Sequence, residues 1–347
     1  MQAKRDGALD RLAVVILNWN NSRLTLACVD SVVASRESLY GLGCEMGLYV
    51  VDNGLDDADI ASLRRGLSGR SEEISLVENA TNLGFAGGMN VGIAAAQQHA
   101  PKYIFLLNND TTVADRAAAQ LYTFAEQHPY CAMIAPTIVD LRTGTLQSAG
   151  GYRYYPCLGW SRPLGGGEPL AVVEDLPAVE PDYIDGAAMW LRGDFLARTG
   201  GLPRDYFLYF EELALKDLLR ANERQCWCRE AIVYHAGGGD DTSRGRQVSA
   251  TYNAALSAFR YTRANHPRCL PGVVAARLAG IALRATFRLQ PWLLPPCCAH
   301  CGISCAPIGE IAGEGEQAQV ENPAQQHTNG VRSLIVDLPM TDSISLA

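Results

Sequence analysis

Tyr103–Asp110 reads YIFLLNND: a mostly apolar run that passes straight into Asn108, Asn109 and Asp110. An apolar run of that length, closed abruptly by polar residues, predicts a strand of a parallel sheet covered on both faces. Ligands of open α/β sheets bind just outside the carboxyl ends of the strands. Asp110 stands at such an end. A carboxylate there can hold a hard divalent cation on a phosphate, because Mg²⁺ and Mn²⁺ favour oxygen ligands. The competing reading makes Asp110, with Thr111 and Thr112, the N-cap of a helix beginning near Val113.

Upstream the same pattern recurs. Leu12–Leu17 (LAVVIL) is a buried strand closed by Asn18-Trp19-Asn20-Asn21, and Leu24–Val33 has helical spacing behind an Asn21 or Ser22 cap. Leu48–Val51 is closed by Asp52-Asn53-Gly54, and Ile74–Val77 by Glu78-Asn79. Strands alternating with helices predict an α/β fold, and the strand ends gather polar residues on one rim. The glycine-rich piece Asn82–Gly92 leads into an Ala-rich helix. Its Gly84, Gly87 and Gly88 either let backbone approach a ligand, with the helix amides aimed at an anion, or serve turn chemistry.

Downstream, Asp115–Gln127 is an amphipathic helix and Ala132–Pro136 a short strand. Residues 140–180 lack a period and predict irregular structure. Tyr183–Leu191 returns to a buried strand or helix start. Asp194–Thr199 is a short helix, and Leu213–Ala221 another. Glu211 and Glu212 follow an aromatic run, at the edge of an apolar wall that would raise a carboxylate pKa and make a better base. Their alternative role is as first-turn glutamates favoured by the helix dipole. Ile232-Val233-Tyr234 is a strand closed by His235, a candidate metal ligand.

Helices are expected at Gln247–Asn265 and Val273–Leu289. The second carries Arg277, Arg284 and Arg288 on one face, fit either for an anionic membrane surface or for ordinary packing. Cys297, Cys298, Cys301 and Cys305, with His300, include one C-x-x-C of zinc-ligand spacing. From Ala306 onward the chain is polar and without period, which predicts a disordered tail.

The totals set bounds. A chain of 347 residues holds one large or two medium domains, and 48% hydrophobic residues supply a sizeable core. A formal net charge of -8 gives no overall pull toward nucleic acid. The eleven Cys form no short-spaced framework, and MQAKRDGALD lacks the layout of a signal peptide. These predict free thiols in a reducing, cytoplasmic setting, and any contact with the inner face of the membrane would run through 273–296. No charge-free run is long enough to span a bilayer.

Taken in order, VVILNWNN (14–21), VVDNG (50–54), NLGFAGGMNVGI (82–93), YIFLLNNDT (103–111), IDGAAMWLRGDFLARTGGLPRDYFLYFEE (184–212) and AIVYHAGGG (231–239) resemble glycosyltransferase family 2, within it the rhamnosyltransferase-like proteins. The resemblance implies an α/β GT-A fold over 10–240, a Rossmann-like mixed sheet with flanking helices; the C-terminal helices (241–296) and the Cys-rich segment and low-order tail (297–347) are read from the residues alone, and the tail matches nothing expected of the family. It implies inverting transfer from a nucleotide-diphospho-sugar, such as dTDP-rhamnose, to a glycan or lipid-linked hydroxyl, with Mn²⁺ or Mg²⁺.

Carried over by position, Asn18, Asn20 and Asp52 would cradle the nucleoside, and Asn82, Gly84, Phe85 and Asn90 would line the nucleotide site. Asn108 and Asn109 precede Asp110, which would hold the metal together with His235. Glu212, with Glu211 as its alternate, would be the base. Two positions depart from the family pattern: Ala214 replaces an Asp, and Leu256-Ser257 an Arg-Asn pair. The alternative reading is therefore a nucleotide-sugar-binding relative with weak catalysis. A nucleotidyltransferase would need a glycine- and basic-rich loop after the first strand, which Asn18–Ser22 lacks.

Overall fold

The computed structural model describes residues 9–68, 70, 74–177, 179–237 and 244–287. The candidate zinc segment Cys297–Cys305, the expected tail and the end of the 273–296 stretch lie outside the described residues.

The first half alternates as expected: β1 (Asp10–Asn18), α1 (Ser22–Ala34), α2 (Arg36–Tyr40), β2 (Cys44–Asp52), α3 (Asp57–Ser68), β3 (Ile74–Glu78), α4 (Gly84–Gln97) and β4 (Tyr103–Asn108). The strand signal has its reason in two-sided burial. Leu12, Val14 and Ile16 of β1 pack with Cys28, Val29 and Val32 of α1 on one face. Ala13, Val15 and Leu17 pack with Ala86, Met89 and Ile93 of α4 on the other. Both alternating sets of side chains therefore leave water, and the strand reads as an unbroken apolar run.

The second half holds β5 (Thr111–Val113), α5 (Ala117–Gln127), β6 (Cys131–Asp140), β7 (Leu146–Ala149), β8 (Tyr152–Tyr155), β9 (Trp160–Pro163), β10 (Ala188–Arg192), α6 (Gly193–Thr199), α7 (Glu211–Lys216), β11 (Arg224–His235), α8 (Arg244–Asn265) and α9 (Leu270–Phe287). Among the described residues one large mixed sheet runs β3-β2-β1-β4-β10-β6-β11-β5, with β7 beside β6. Strands β3, β2, β1 and β4 are parallel. β10 is antiparallel to both neighbours, and β11 is parallel to β6. Helices flank the sheet, so the expected α/β mixed-sheet architecture is what the chain forms.

Four expectations are corrected. No helix begins near Val113, and Asp110 is not a helix N-cap: Thr111–Val113 is a strand paired antiparallel with Val233–His235, and α5 starts at Ala117 behind Arg116. Tertiary pairing overrides the local capping signal there. Residues 140–180 are not irregular but carry β7, the β8–β9 hairpin and a short 3₁₀ segment at Leu170–Asp175. The helix at Leu213–Ala221 is shorter, spanning only Glu211–Lys216. The thiols are not all free: Cys131 is joined to Cys226 across the neighbouring strands β6 and β11, and Cys157 to Cys269. Each pair is far apart in sequence, so spacing could not reveal it.

The glycines of α4 serve close packing. A Cβ at Gly88 would come within 2.5 Å of Leu17 Cδ1, and one at Gly92 within 2.4 Å of Val15 Cγ1. Gly84 sits at φ +74°, where a Cβ would meet the Phe207 carbonyl oxygen at 2.4 Å. A Gly84→Ala variant is accordingly expected to lose about 3 kcal/mol of stability, from left-handed strain plus overpacking. Urea denaturation measures it, and an unchanged midpoint would contradict the packing described.

Candidate active site

Strand register builds the rim. Asn18 lies beside Asp52, and Asp52 beside Glu78; Leu17 lies beside Asn108. The ladder continues one residue outward, with Asn53 N–H donating to Asn18 O and Asn79 N–H to Asp52 O. Asn18 is wholly buried. Its amide donates to Asp52 Oδ1 at 2.8 Å and to Asp59 Oδ2 at 2.9 Å, and its Oδ1 accepts from Thr25 Oγ1 at 2.6 Å. Asn18 therefore fixes the acidic rim from beneath. Burial, the largest effect, raises the Asp52 pKa, against the hydrogen bonds from Asn18 and Gly54. Asn20 adopts φ 50°, and its Oδ1 accepts from Leu55 N–H, which locks the turn after β1 against the turn after β2.

Asn82 and Asn53 organise the start of α4. Asn82 Oδ1 accepts from Asn53 Nδ2 at 3.0 Å and from Gly84 N–H at 2.9 Å. Phe85 N–H donates to Phe207 O at 2.7 Å. These first two amides of α4 are spent on protein acceptors, and the close approach at Gly84 brings the 200–210 loop onto α4. Asn90 is buried, and its amide closes on the same loop, donating to Leu202 O at 2.9 Å and accepting from Leu202 N–H at 2.7 Å.

Beyond β4, Asn108 N–H donates to Ala187 O at 3.0 Å. Asn109 Nδ2 donates to Thr25 Oγ1 at 3.1 Å, tying the turn to α1. Asp110 then faces the end of β11, because Thr111 pairs with His235 across β5 and β11. Asp110 Oδ1 lies 3.1 Å from His235 Nε2. His235 Nδ1 is 2.9 Å from Gln147 Oε1. With Nδ1 donating to that oxygen, Nε2 is the ring atom turned to Asp110, and only with Nε2 unprotonated could it ligate a metal. Burial disfavours the charged imidazole, but the hydrogen bond and charge of Asp110, with Asp185 and Asp140, outweigh it and raise its pKa.

The pair fits a cation. Adjacent ligands of an octahedral Mg²⁺ or Mn²⁺ at about 2.1 Å stand about 3.0 Å apart. Among the described residues no cluster of three or more His, Cys, Asp or Glu could hold a metal by itself. A Mg²⁺-type ion commonly takes one or two protein ligands and completes its shell with phosphate oxygens and water.

The third part is acidic and buried. Tyr209 and Phe210 both have positive φ, at 67° and 74°. Two consecutive non-glycine residues in that region are costly and concentrate at functional sites; here they deliver Glu211 and Glu212. Glu211 is buried, with Oε2 unpartnered, and burial followed by the neighbouring Glu212 charge pushes its pKa well up. Glu212 is pushed up to about 7, first by burial, with the Asp185 charge adding. A Cβ at Gly186 would lie 3.4 Å from Glu212 Oε1. Ala187, which binds Asn108, is the next residue, so Glu212 borders the same rim as Asp110.

Two acidic residues here escaped the sequence reading. Asp59 takes Asn18 Nδ2 and Ser22 N–H, the latter at 2.7 Å, and nothing in the helix ADIAS marks it. Asp185 is buried, with Oδ2 accepting from Ser148 Oγ at 2.7 Å and from Tyr152 OH at 3.1 Å, and Oδ1 from Ala187 N–H at 3.0 Å. Its signal was a carboxylate opening the buried run IDGAAMWL. Asp185→Asn removes a charge that raises the Glu212 pKa. The pH dependence of any step using Glu212 as base should then move to lower pH in this variant, and an unmoved profile would separate the two groups.

The departures from the family pattern also have places. Ala214 packs against the cluster of Tyr154, Tyr206, Leu213 and Tyr261. Asp217 accepts from Tyr261 OH at 2.7 Å, and Ser257 Oγ donates to Leu208 O at 2.9 Å. Both bonds hold α8 against the loop and α7.

No curated protein matches the chain. Among solved structures it is similar to the mannosyltransferase PcManGT from Pyrobaculum calidifontis in complex with GDP-Man and Mn²⁺, at 16% identity and a TM-score of 0.49, over 84% of this chain and 86% of that one. It is also similar to S. aureus TarS 1-349, at 12% identity and a TM-score of 0.47, over 81% of this chain and 75% of that one. The sequence of residues 13–164, which holds the parallel strand ends and Asp110, matches the family described as Glycosyl transferase family 2.

Proposed function

We propose that this chain is an inverting glycosyltransferase that moves a sugar from a nucleotide-diphospho-sugar to a hydroxyl of a cell-envelope, polysaccharide or lipid-linked acceptor, with Mn²⁺ or Mg²⁺ bound. The observation that carries the reading is the meeting of Asp110 and His235 on the rim that Glu212 borders. The family match over 13–164 supports nucleotide-sugar-dependent transfer.

In this reading the catalytic unit is 10–240. Asp52, set by Asn18, accepts an N–H of the base. Uracil and thymine present such a donor on N3 and guanine on N1, while cytosine and adenine have none; the resemblance to rhamnosyltransferase-like proteins favours a uridine or deoxythymidine donor among these, dTDP-rhamnose included. Asp110 and His235 would hold the cation, which when bound would offset the charge of the departing diphosphate. Glu212 takes the proton of the acceptor hydroxyl as its oxygen bonds to the anomeric carbon. The bond from that carbon to the diphosphate oxygen breaks with the electron pair leaving on the nucleoside diphosphate. Attack from the face opposite the leaving group inverts the anomeric centre. Glu211, its pKa raised by burial and by the Glu212 charge, stays out of the chemistry.

Proton NMR of the product formed from an α-linked donor tests the mechanism. A β-linked product is expected, and an α-linked product would overturn inversion.

A further inference from the structure

Helix α9 is amphipathic the wrong way round for a packed helix. Pro271, Val274, Ala275, Leu278 and Ala279 recur at helical spacing and are all exposed, Leu278 at 61%. The opposite side is the one clamped to the fold. Cys269 is joined to Cys157, Arg277 Nη2 donates to Gly159 O at 3.0 Å, and a Cβ at Gly159 would come within 2.7 Å of Val273 Cγ1. The β8–β9 turn thus holds the helix with its apolar stripe facing away from the protein.

The charge pattern says what meets that stripe. No Asp or Glu occurs between Asp241 and Glu310, while eight Arg do, in a chain of formal net charge -8. Arg263 and Arg268, just ahead of the helix, are exposed. We infer that α9 is an interfacial anchor, laying its Val274/Leu278 face on an anionic lipid surface with the exposed Arg263 and Arg268 at the headgroups. An apolar helix face in a cationic, acid-free segment is the pattern of helices that lie in a bilayer interface, and each arginine near an anionic leaflet adds to the attraction. The acidic body of the chain does not prevent it, because repulsion beyond a Debye length is screened. A second copy is a poorer occupant, since it would bring one acid-free, arginine-rich segment against another. Nucleic acid would use the arginines but leave the apolar stripe unsatisfied. The inference does not depend on the transferase reading.

The test is co-sedimentation of the full chain with phosphatidylcholine vesicles, with and without phosphatidylglycerol, at low and high salt. Binding is expected only with phosphatidylglycerol, weakening as salt rises. A Val274→Asp/Leu278→Asp double variant should keep the wild-type melting temperature, because both sites are exposed, and bind the anionic vesicles at least about tenfold more weakly. Absence of binding, equal binding to both vesicle types, or undiminished binding by the double variant would each overturn the anchor. So would a wild-type dimer that the double variant turns into monomer without any vesicle binding.

Discussion

Glu212→Gln is expected to lower sugar transfer by about a thousandfold, the typical worth of a positioned general base, and at the same time to raise the melting temperature above neutral pH. The two effects share one cause. Burial raises the Glu212 pKa to about 7, so the native state binds this proton more tightly than the unfolded chain does. The stability this linkage supplies is fully present below the unfolded value and is lost as pH rises through about 7. Above that pH the wild-type protein carries a charge in an apolar wall. Glutamine removes the charge, and the difference in melting temperature should shrink as the pH is lowered toward the ordinary glutamate range. Catalysis follows the opposite limb: the base works only when deprotonated, so wild-type kcat rises with pH and levels off above about 7. Loss of activity without the thermal gain would mean that Glu212 is not the buried, raised carboxylate described. A thermal gain with activity intact would mean that another group takes the proton.

Asp110→Ala is expected to cost about a hundredfold or more in kcat/KM, because on the proposed reading it would remove a ligand of the cation that would offset the charge of the departing diphosphate. The apparent affinity for Mn²⁺ should fall with it. His235→Ala should reproduce the loss of metal affinity, since the two side chains would share one ion. Asn109→Ala leaves both ligands in place and only releases the turn from Thr25, so its effect should be several times smaller. Equal losses in all three variants would point to collapse of the turn in place of a metal site.

The parallel half of the sheet was legible because β1 and β4 are apolar on both faces, and a short unbroken apolar run closed by polar residues is what a strand covered on both sides must look like. The rim was legible for the same reason: each strand stops where its side chains become polar. What failed was everything set by partners remote in sequence. Thr111–Val113 looked like a helix approach and became a strand because β11 offers it a ladder. Tyr152–Pro163 lacked a period because its hairpin is partly exposed and punctuated by Gly and Pro. The glycines before α4 left a ligand approach and turn chemistry both open, and the partners of the Gly84 and Phe85 amides, Asn82 Oδ1 and Phe207 O, could not be read from spacing. At the site, Asp110, Glu212 and His235 could be singled out as residue types at strand ends or an apolar edge. That Asn18 is a buried brace, and that Asp185 and Asp59 join the acidic network, depends on side-chain directions that no spacing rule encodes.

The measurement that bears most directly on the account is a thermal-shift titration of the wild-type chain with uridine and deoxythymidine diphosphates, with and without Mn²⁺. A ligand that binds only the native state raises the melting temperature by mass action. A shift with one of these diphosphates that requires Mn²⁺ and vanishes in Asp110→Ala is the predicted result. No shift with either nucleotide, or a shift indifferent to both metal and Asp110, would contradict a metal-diphosphate site between Asp110 and His235.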